Sequence, residues 1–435
     1  KNLVDSQTMA GNLVTANITL AAAPEDADVV IVNTCSFVED AREESMEMIL
    51  SACQLKQDGA CRAVLVAGCL PQRYREQIQE ALPDVDAFIG VDELDRVPEI
   101  VRELEAGKRH ILEVSEQAER LFEPVVPVVF SGGANAYLKI AEGCNHQCAF
   151  CAIPGIRGRH RSRSLDQVVG EAESLLGQGF RELDIISQDI MSYGRDRQDD
   201  TSLPALLRRL GTLGGDFWVR LLYGYPSLVS DELLEVMAET PQVCHYLDVP
   251  IQHSHPDVLK GMRRGSTVPH VKKMVDRVRS VMPDATLRTT CLVGFPGETE
   301  EHFEHLLEFC QSVRFDHLGA FVYSPEENTP AYEMDAVPPL EVAEARYARL
   351  MEQQKTIVDE NNKALLGETI DVLLETVEDD ACNTWRGRSL RQAPEVDGTT
   401  FVEDVPDELG LGDFVSATYT ATYDYDMRAV YTQEQ

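Results

Sequence analysis

The chain has 435 residues, 43% hydrophobic and 7% aromatic, enough apolar material for two or three cores rather than one. Its 74 acidic residues against 39 basic ones leave a formal charge of −35, which repels nucleic-acid phosphate unless basic residues gather locally and suits a basic partner better. No apolar run approaches ~20 residues and the opening KNLVDSQTMA lacks a signal-peptide pattern, so the sequence predicts a cytoplasmic protein that neither enters nor crosses a membrane.

The opening NLVDSQTMAGNLVTA reads as a helix without its preceding strand, so a strand ending in a functional residue is expected just upstream of Lys1. DADVVIVNTC is then an apolar, β-branched run ending at Cys35 and followed by the helical pattern FVEDAREESMEMILSACQL. CRAVLVAGC repeats the arrangement, ending at Cys69 before LPQRYREQIQEAL, and VDAFIGV followed by DELDRVPEIVRELEAG makes a third unit. Residues 1–107 therefore predict an α/β domain built on a doubly wound parallel sheet, whose binding crevice lies at the strand carboxyl ends. Cys35 and Cys69 both fall at that edge.

Residues 108–134, ending in the Val-, Pro- and Gly-rich EPVVPVVFSGGAN, predict a linker. From 135 to 366 strands are expected at AYLKIAEG, ELDIISQD, FWVRLLYG, YLDVPIQH, TLRTTCLVGF and HLGAFVYS, with helical patterns between them. Six such units predict a partial (β/α)6 barrel related to the eight-stranded closed form. Residues 367–435 change character: ETIDVLLETVE, TWRGRSL, TTFVED and DFVSATYTATYDYDMRAVY are short β-type runs, as in a small C-terminal β-barrel. That segment holds sixteen acidic and four basic residues.

EGCNHQCAFCAIP places Cys144, Cys148 and Cys151 on one loop after the first barrel strand. Eleven cysteines in a chain without secretory features favour reduced thiols or metal ligands over disulfides. A structural zinc site is the competing reading, but zinc usually takes its fourth ligand from a second Cys or His pair, and none follows. A four-iron cluster held by three thiolates leaves one iron open to a small molecule, which fits a catalytic loop. Cys35 and Cys69 are each explained by core packing when taken alone. Two at equivalent strand ends of one sheet point beyond packing. Cys53, Cys61, Cys244, Cys291, Cys310 and Cys382 match no ligand pattern and are expected to be structural.

At CNHQCAFC the sequence resembles the radical S-adenosylmethionine superfamily, including the aromatic Phe150 before Cys151. The resemblance implies a [4Fe–4S] cluster on Cys144, Cys148 and Cys151, with S-adenosylmethionine chelating the open iron and cleaved by a single electron from a low-potential donor. It further implies cofactor contacts from Gln188 and Asp189 in SQD, and from Gly294, Gly297 and Glu298 in VGFPGET. NTCSFV and AGCLPQRY are similar to the N-terminal domain of methylthiotransferases, which implies a second [4Fe–4S] cluster on Cys35, Cys69 and a cysteine just before Lys1. The small barrel looks like a TRAM domain.

Two branches of the methylthiotransferases come into question. KNLVDSQ, CNHQCAFCAIP, VPIQHSHPDVLKGMRRG and GRSLRQAPEVDG resemble the RimO-type branch, which methylthiolates the β-carbon of an aspartate in small-subunit ribosomal protein twelve. The MiaB-type branch, which modifies tRNA adenosine, typically lacks the histidine found here as His253. Its TRAM domain presents basic residues to RNA, whereas this one is acidic, so a basic protein substrate docking on carboxylates such as Asp404, Asp407, Glu408 and Asp413 is expected and RNA binding is not. A non-enzymatic iron–sulfur protein that binds a basic ribosomal partner is the reading from another class; it should fail to cleave S-adenosylmethionine.

Overall fold

Residues 63–68 are buried at every position, as a central parallel strand covered on both faces must be. In the computed structural model, which describes residues 1–122, 128–130, 132–265, 267–379 and 383–433, this strand belongs to the first of two compact units. That unit comprises Lys1–Phe130, Ala141–Arg163 and Ser324–Tyr332; the remainder of the chain forms the second.

The sheet of the first unit runs β1 (Val29–Thr34), β2 (Ala63–Gly68), β3 (Ala87–Ile89) and β4 (Ile111–Glu113), all parallel and in sequential order. Alternate residues of β2 separate two cores. Ala63, Leu65 and Ala67 join Met9 and Leu13 of α1 (Asn2–Thr15) and Ile100 and Leu104 from the helix Val97–Glu105, while Val64 and Val66 join Ile49 and Ile78 on the opposite face. Helices on both faces are what the three strand-and-helix units predicted. β4 is an addition: only three residues long, it lies in the stretch read as linker, where so short a run carries no periodicity.

In the second unit six parallel strands stand side by side: β5 (Asn135–Lys139), β6 (Glu182–Ile186), β7 (Trp218–Leu221), β8 (Val243–Asp248), β9 (Thr286–Val293) and β10 (His317–Val322). Each lies within or beside its predicted run. Three of the intervening helices start at serine side-chain caps: Ser164 forms a capping box with Gln167, and Ser202 and Ser230 each accept from the third residue of their helix. The C-terminal strands β11 (Thr369–Asp379), β12 (Thr384–Ser389), β13 (Thr400–Glu403), β14 (Phe414–Tyr423) and β15 (Asp426–Tyr431) close into a barrel around Val372, Leu374, Val402, Val415 and Ala429.

Buried charge fastens that barrel to the six-stranded sheet within the second unit. Glu182, fully buried at the start of β6, accepts from Arg220 Nε at 2.6 Å and from Arg388 Nη2 at 2.6 Å. Arg388 also pairs with Glu375 at 2.7 Å, and Arg220 Nη1 donates to the Leu390 carbonyl at 2.7 Å. Burial would raise the Glu182 pKa, but the two guanidinium groups outweigh it and hold the carboxyl down at about 2. Further along, Asp397 accepts from Tyr246 Oη at 2.6 Å and pairs with Arg288. The segment GRSLRQAPEVDG therefore supplies Arg388 and Asp397 to this attachment. Among the described residues no helix is long and apolar enough to cross a membrane.

Candidate functional site

Thr34 and Gly68 are partners in the register between β1 and β2, so Cys35 and Cys69 leave neighbouring strands at the same level. Gly68 makes the turn possible: it sits at φ +100°, and a Cβ there would lie 2.5 Å from Asn33 Oδ1 and 2.9 Å from the Thr34 carbonyl. The chain then enters the helix Cys69–Tyr74 directly, with Leu70 N–H held by Thr34 Oγ1 at 3.2 Å. Cys35 is tied through both backbone groups to Ser45 Oγ, at 3.1 and 3.0 Å. Cys35 is half-buried, whereas Cys69 is buried against Val91, Ala118 and Ile156.

Cys144, Cys148 and Cys151 are all half-buried, as ligands open to an incoming molecule should be. Their loop is closed by backbone bonds, Cys144 N–H to the Gly158 carbonyl at 3.1 Å and Cys151 N–H to the Cys148 carbonyl at 3.2 Å. It leaves the antiparallel pair Ala141–Glu142 with Arg161–Ser162 through Gly143, where a Cβ would lie 2.1 Å from the Arg159 carbonyl. Although the loop follows β5 in sequence, residues 141–163 cluster with the first unit. All five predicted ligand cysteines thus share that unit. The thiol sets fit four-iron clusters: neighbouring strand ends for one, and a compact, partly exposed loop for the other.

Sequence reasoning missed the buried side chain that contacts Cys69 and sits at the flank of the three-cysteine loop. Arg157, almost wholly buried, places Nη2 at 3.1 Å from Cys69 Sγ and Nη1 at 2.7 Å from Asp5 Oδ2 and 3.4 Å from Glu142 Oε1. Burial opposes its charge, but Asp5, Cys69 and Glu142 outweigh that and hold its pKa well above the ordinary arginine value. Burial pushes the Cys69 thiol up, opposed by Arg157. Nearby, Glu326 accepts from Arg73 at 2.9 Å and pairs with Arg42.

The predicted cofactor-contacting residues lie in the second unit. Asp189 caps a single turn, accepting from Met191 N–H at 3.0 Å and Ser192 Oγ at 2.5 Å, so much of its carboxylate is already engaged. Gln188 precedes it, directly beyond β6. After β9, Gly294 and Gly297 take left-handed φ values of 76° and 81°. Glu298 closes this turn, accepting from Gly294 N–H at 2.9 Å and Arg346 Nη1 at 2.9 Å. Burial pushes its carboxyl up to about 7 against the pull of Arg346. His253 Nε2 lies 3.8 Å from Glu298 Oε2; burial and the neighbouring His255, His302 and His305 push its pKa down to about 3, leaving the ring neutral. Cys61, Cys244, Cys291 and Cys310 are buried and Cys53 half-buried; Cys382 lies outside the described residues.

A six-stranded parallel sheet whose first strand is followed by a CxxxCxxC loop defines a radical S-adenosylmethionine enzyme, and residues 138–310 match the Radical SAM superfamily. Residues 1–90 match the uncharacterized protein family UPF0004 and residues 366–431 the TRAM domain. The ribosomal protein uS12 methylthiotransferase RimO of Geobacter sulfurreducens is 42% identical over 98% of this chain and 95% of its own length. Its counterpart in Heliobacterium modesticaldum is 43% identical over 98% and 92%. The chain belongs to this RimO family of methylthiotransferases. Among solved structures, the radical S-adenosylmethionine methyltransferase TsrM of Kitasatospora setae shares the fold at 16% identity, TM-score 0.53, over 73% of this chain and 66% of its own. The cobalamin-dependent enzyme OxsB does so at 12% identity and TM-score 0.52, over 81% and 53%. Radical S-adenosylmethionine enzymes work with a [4Fe–4S] cluster and S-adenosylmethionine.

Proposed function

We propose that this chain attaches a methylthio group to the β-carbon of an aspartate in ribosomal protein uS12, in the cytoplasm, using two [4Fe–4S] clusters, S-adenosylmethionine and a low-potential electron donor. The observation that carries the reading is the gathering of two cysteine sets, Cys35 with Cys69 and Cys144 with Cys148 and Cys151, in one compact unit. When bound, the groups supply one-electron cleavage of S-adenosylmethionine and a sulfur to be methylated and transferred.

The chain's own part is to hold and to orient. Cys144, Cys148 and Cys151 bind three irons of one cluster, on a loop kept tight by its own backbone bonds. Cys35 and Cys69, with the cysteine implied before Lys1, bind the other. Gly294, Gly297 and Glu298 form a rigid turn suited to contact the adenosyl portion of the cofactor, and Gln188 and Asp189 are placed for its methionine portion. Residues 1–107, 135–366 and 367–435 serve as the methylthiotransferase, radical and TRAM domains, with 108–134 linking the first two.

The TRAM barrel carries a recess lined by Glu378, Asp379, Glu403, Asp404 and Asp426 with the rings of Phe401 and Tyr423; its one basic residue among those described, Arg428, pairs with Glu403 at 2.7 Å, which leaves the lining net acidic. Such a surface suits a basic, ribosomal protein substrate and repels RNA. Asp404 belongs to this recess. Asp407 instead accepts from Asn383 at 3.0 Å and Asp413 from Gly410 N–H at 2.8 Å, so those two carboxylates shape turns. The test is mass spectrometry of ribosomal protein uS12 after reaction with the reconstituted protein: gain of one methylthio group on an aspartate is expected. Modification of tRNA in its place would assign the chain to the adenosine-modifying branch, and absence of S-adenosylmethionine cleavage would leave only an iron–sulfur binding protein.

A further inference from the structure

The group that touches Cys69 is a cation with nowhere else to go. Arg157 is almost fully buried, as are Asp5 on α1 and Glu142 just before the three-cysteine loop. The guanidinium is planar and donates through five N–H groups. Nη1 is turned to the two carboxylates, at 2.7 and 3.4 Å, which leaves Nη2 directed at Cys69 Sγ from 3.1 Å. A neutral thiol would compensate poorly for burying that edge of the cation, because desolvated charge requires charged or strongly polar partners. A sulfur that keeps thiolate character through iron ligation supplies one.

The same guanidinium also holds the three-cysteine loop at both ends. Glu142 lies two residues before Cys144, and Arg157 ends the short helix Ile153–Arg157 that starts two residues after Cys151. Gly158, at φ +70°, follows at once; a Cβ there would lie 2.0 Å from the Ala118 carbonyl, so the backbone has no latitude to carry Arg157 elsewhere. Arg161 donates to that same carbonyl at 3.0 Å. One buried cation therefore joins a strand-end cysteine, the first helix and both flanks of the loop.

We infer that Arg157 is a tuning and positioning residue for the N-terminal cluster: its N–H bond to Cys69 Sγ and its positive charge set that cluster's reduction potential, and Asp5 moderates the effect. The inference rests on the proposed role of Cys69 as an iron ligand. The sign follows from electrostatics. A reduced cluster carries one more negative charge than an oxidised one, so a nearby cation and a hydrogen bond to a ligand sulfur favour reduction and raise the potential. Removing Arg157 lowers it. Neutralising Asp5 leaves the guanidinium less compensated and raises it, so two substitutions on opposite sides of one ion pair are expected to move one observable in opposite directions.

The experiment is a redox titration followed by electron paramagnetic resonance on the whole chain, reconstituted with iron and sulfide and carrying the cysteine expected before Lys1. Cys144, Cys148 and Cys151 are replaced by Ala so that only the N-terminal cluster gives a signal. Arg157→Met should shift the midpoint negative, Arg157→Lys should fall between it and the parent, and Asp5→Asn should shift the midpoint positive, all with about four irons retained. Iron retained after Cys69→Ala would defeat the ligand assignment itself, independently of Arg157. If Cys69→Ala loses the iron while Arg157→Met and Asp5→Asn both keep it at the parent's potential, the tuning role is overturned. Should Arg157→Met fail to fold, the direction of the Asp5→Asn shift decides: positive supports the inference, unchanged or negative refutes it.

Discussion

Both units bury arginines, and their partners differ in kind. In the second unit Arg220 and Arg388 donate to Glu182, Glu375 and a backbone carbonyl, and the Cys244 thiol near Arg220 is pushed up to about 12 by burial and stays neutral. In the first unit Arg157 is matched by two carboxylates and a cysteine sulfur. A guanidinium whose hydrogen bonds go to carboxylates and carbonyls fastens one β-domain to another. One that also reaches a candidate metal ligand acts on whatever that ligand binds. The contrast predicts that damage to the arginine clamp of the second unit appears as lost stability and damage to Arg157 in the first as altered cofactor chemistry.

The largest effects should come from the first unit. Replacing any of Cys144, Cys148 or Cys151 with Ala should reduce reductive cleavage of S-adenosylmethionine by at least ~100-fold, read as 5′-deoxyadenosine released, because two thiolates hold a four-iron cluster poorly. Cleavage at the parent rate would remove the loop from the chemistry. Cys35→Ala or Cys69→Ala should instead leave cleavage intact, abolish methylthio transfer and lower the iron content from about eight to about four per chain. Unchanged iron would return both residues to core packing.

Next comes the clamp of the second unit. Glu182→Gln leaves two buried guanidinium groups without their carboxylate and should cost ~3–5 kcal/mol. Trp218 and Trp385 are the chain's two tryptophans and both lie in that unit, so urea unfolding followed by tryptophan fluorescence reports on it alone. Since the folded pKa of Glu182 is depressed from 4.5 to about 2, its stabilisation is present above pH 4.5 and disappears as the pH falls through about 2. A parent midpoint that does not drop over that interval, or a Gln variant as stable as the parent at pH 7, would dissolve the contrast between the units.

How far all this could be read in advance depends on whether the signal is local. The six barrel strands and the small C-terminal barrel announce themselves through alternation and turn residues within windows of about ten residues, and Cys144, Cys148 and Cys151 through their own spacing. Arg157 gave no such signal. It sits in a run of basic residues, GIRGRHRSR, that reads as a solvated stretch, and its partners Asp5 and Cys69 are 152 and 88 positions away. Charged pairs buried by tertiary packing leave no periodicity in either segment. The same holds for Glu182 and Arg388, which are 206 positions apart. Asp189 shows the converse: the family resemblance at SQD implied a cofactor contact, and the fold engages it also as a local cap, a use Asp has wherever a turn begins.

A smaller effect is expected at the acidic recess of the TRAM barrel. Glu378→Lys combined with Asp404→Asn should slow association with ribosomal protein uS12 by ~3- to 10-fold at low salt while leaving S-adenosylmethionine cleavage unchanged. Asn suits position 404 because the residue sits at φ 59°, a conformation Asn tolerates nearly as well as Asp. Stopped-flow or biosensor kinetics read the change; equal association rates, or a parent rate insensitive to salt, would place docking elsewhere.

The subtlest test lies two residues beyond Glu182. Asp184 shares the buried clamp region but is not matched by a cation of its own; Asn135 Nδ2 donates to its Oδ2 at 2.8 Å. Burial, reinforced by the negative charge of Glu182, raises its pKa from 3.8 to about 8. The sign is opposite to that of its neighbour. Between pH 3.8 and about 8 the folded protein retains a proton that the unfolded chain has released, so this residue makes stability fall as the pH rises, by no more than about 1.4 kcal/mol per unit. Asn mimics the protonated acid in shape and can still accept from Asn135. Asp184→Asn should therefore raise the unfolding free energy, read by urea titration of tryptophan fluorescence, by ~1–3 kcal/mol at pH 8 and change it little below pH 3.8, where the acid is neutral in both states. In a Glu182→Gln background the gain should shrink, because one of the two causes of the raised pKa has gone. An Asn variant equally stabilised at both pH values would mean that packing, not the displaced proton, sets the energy at this position.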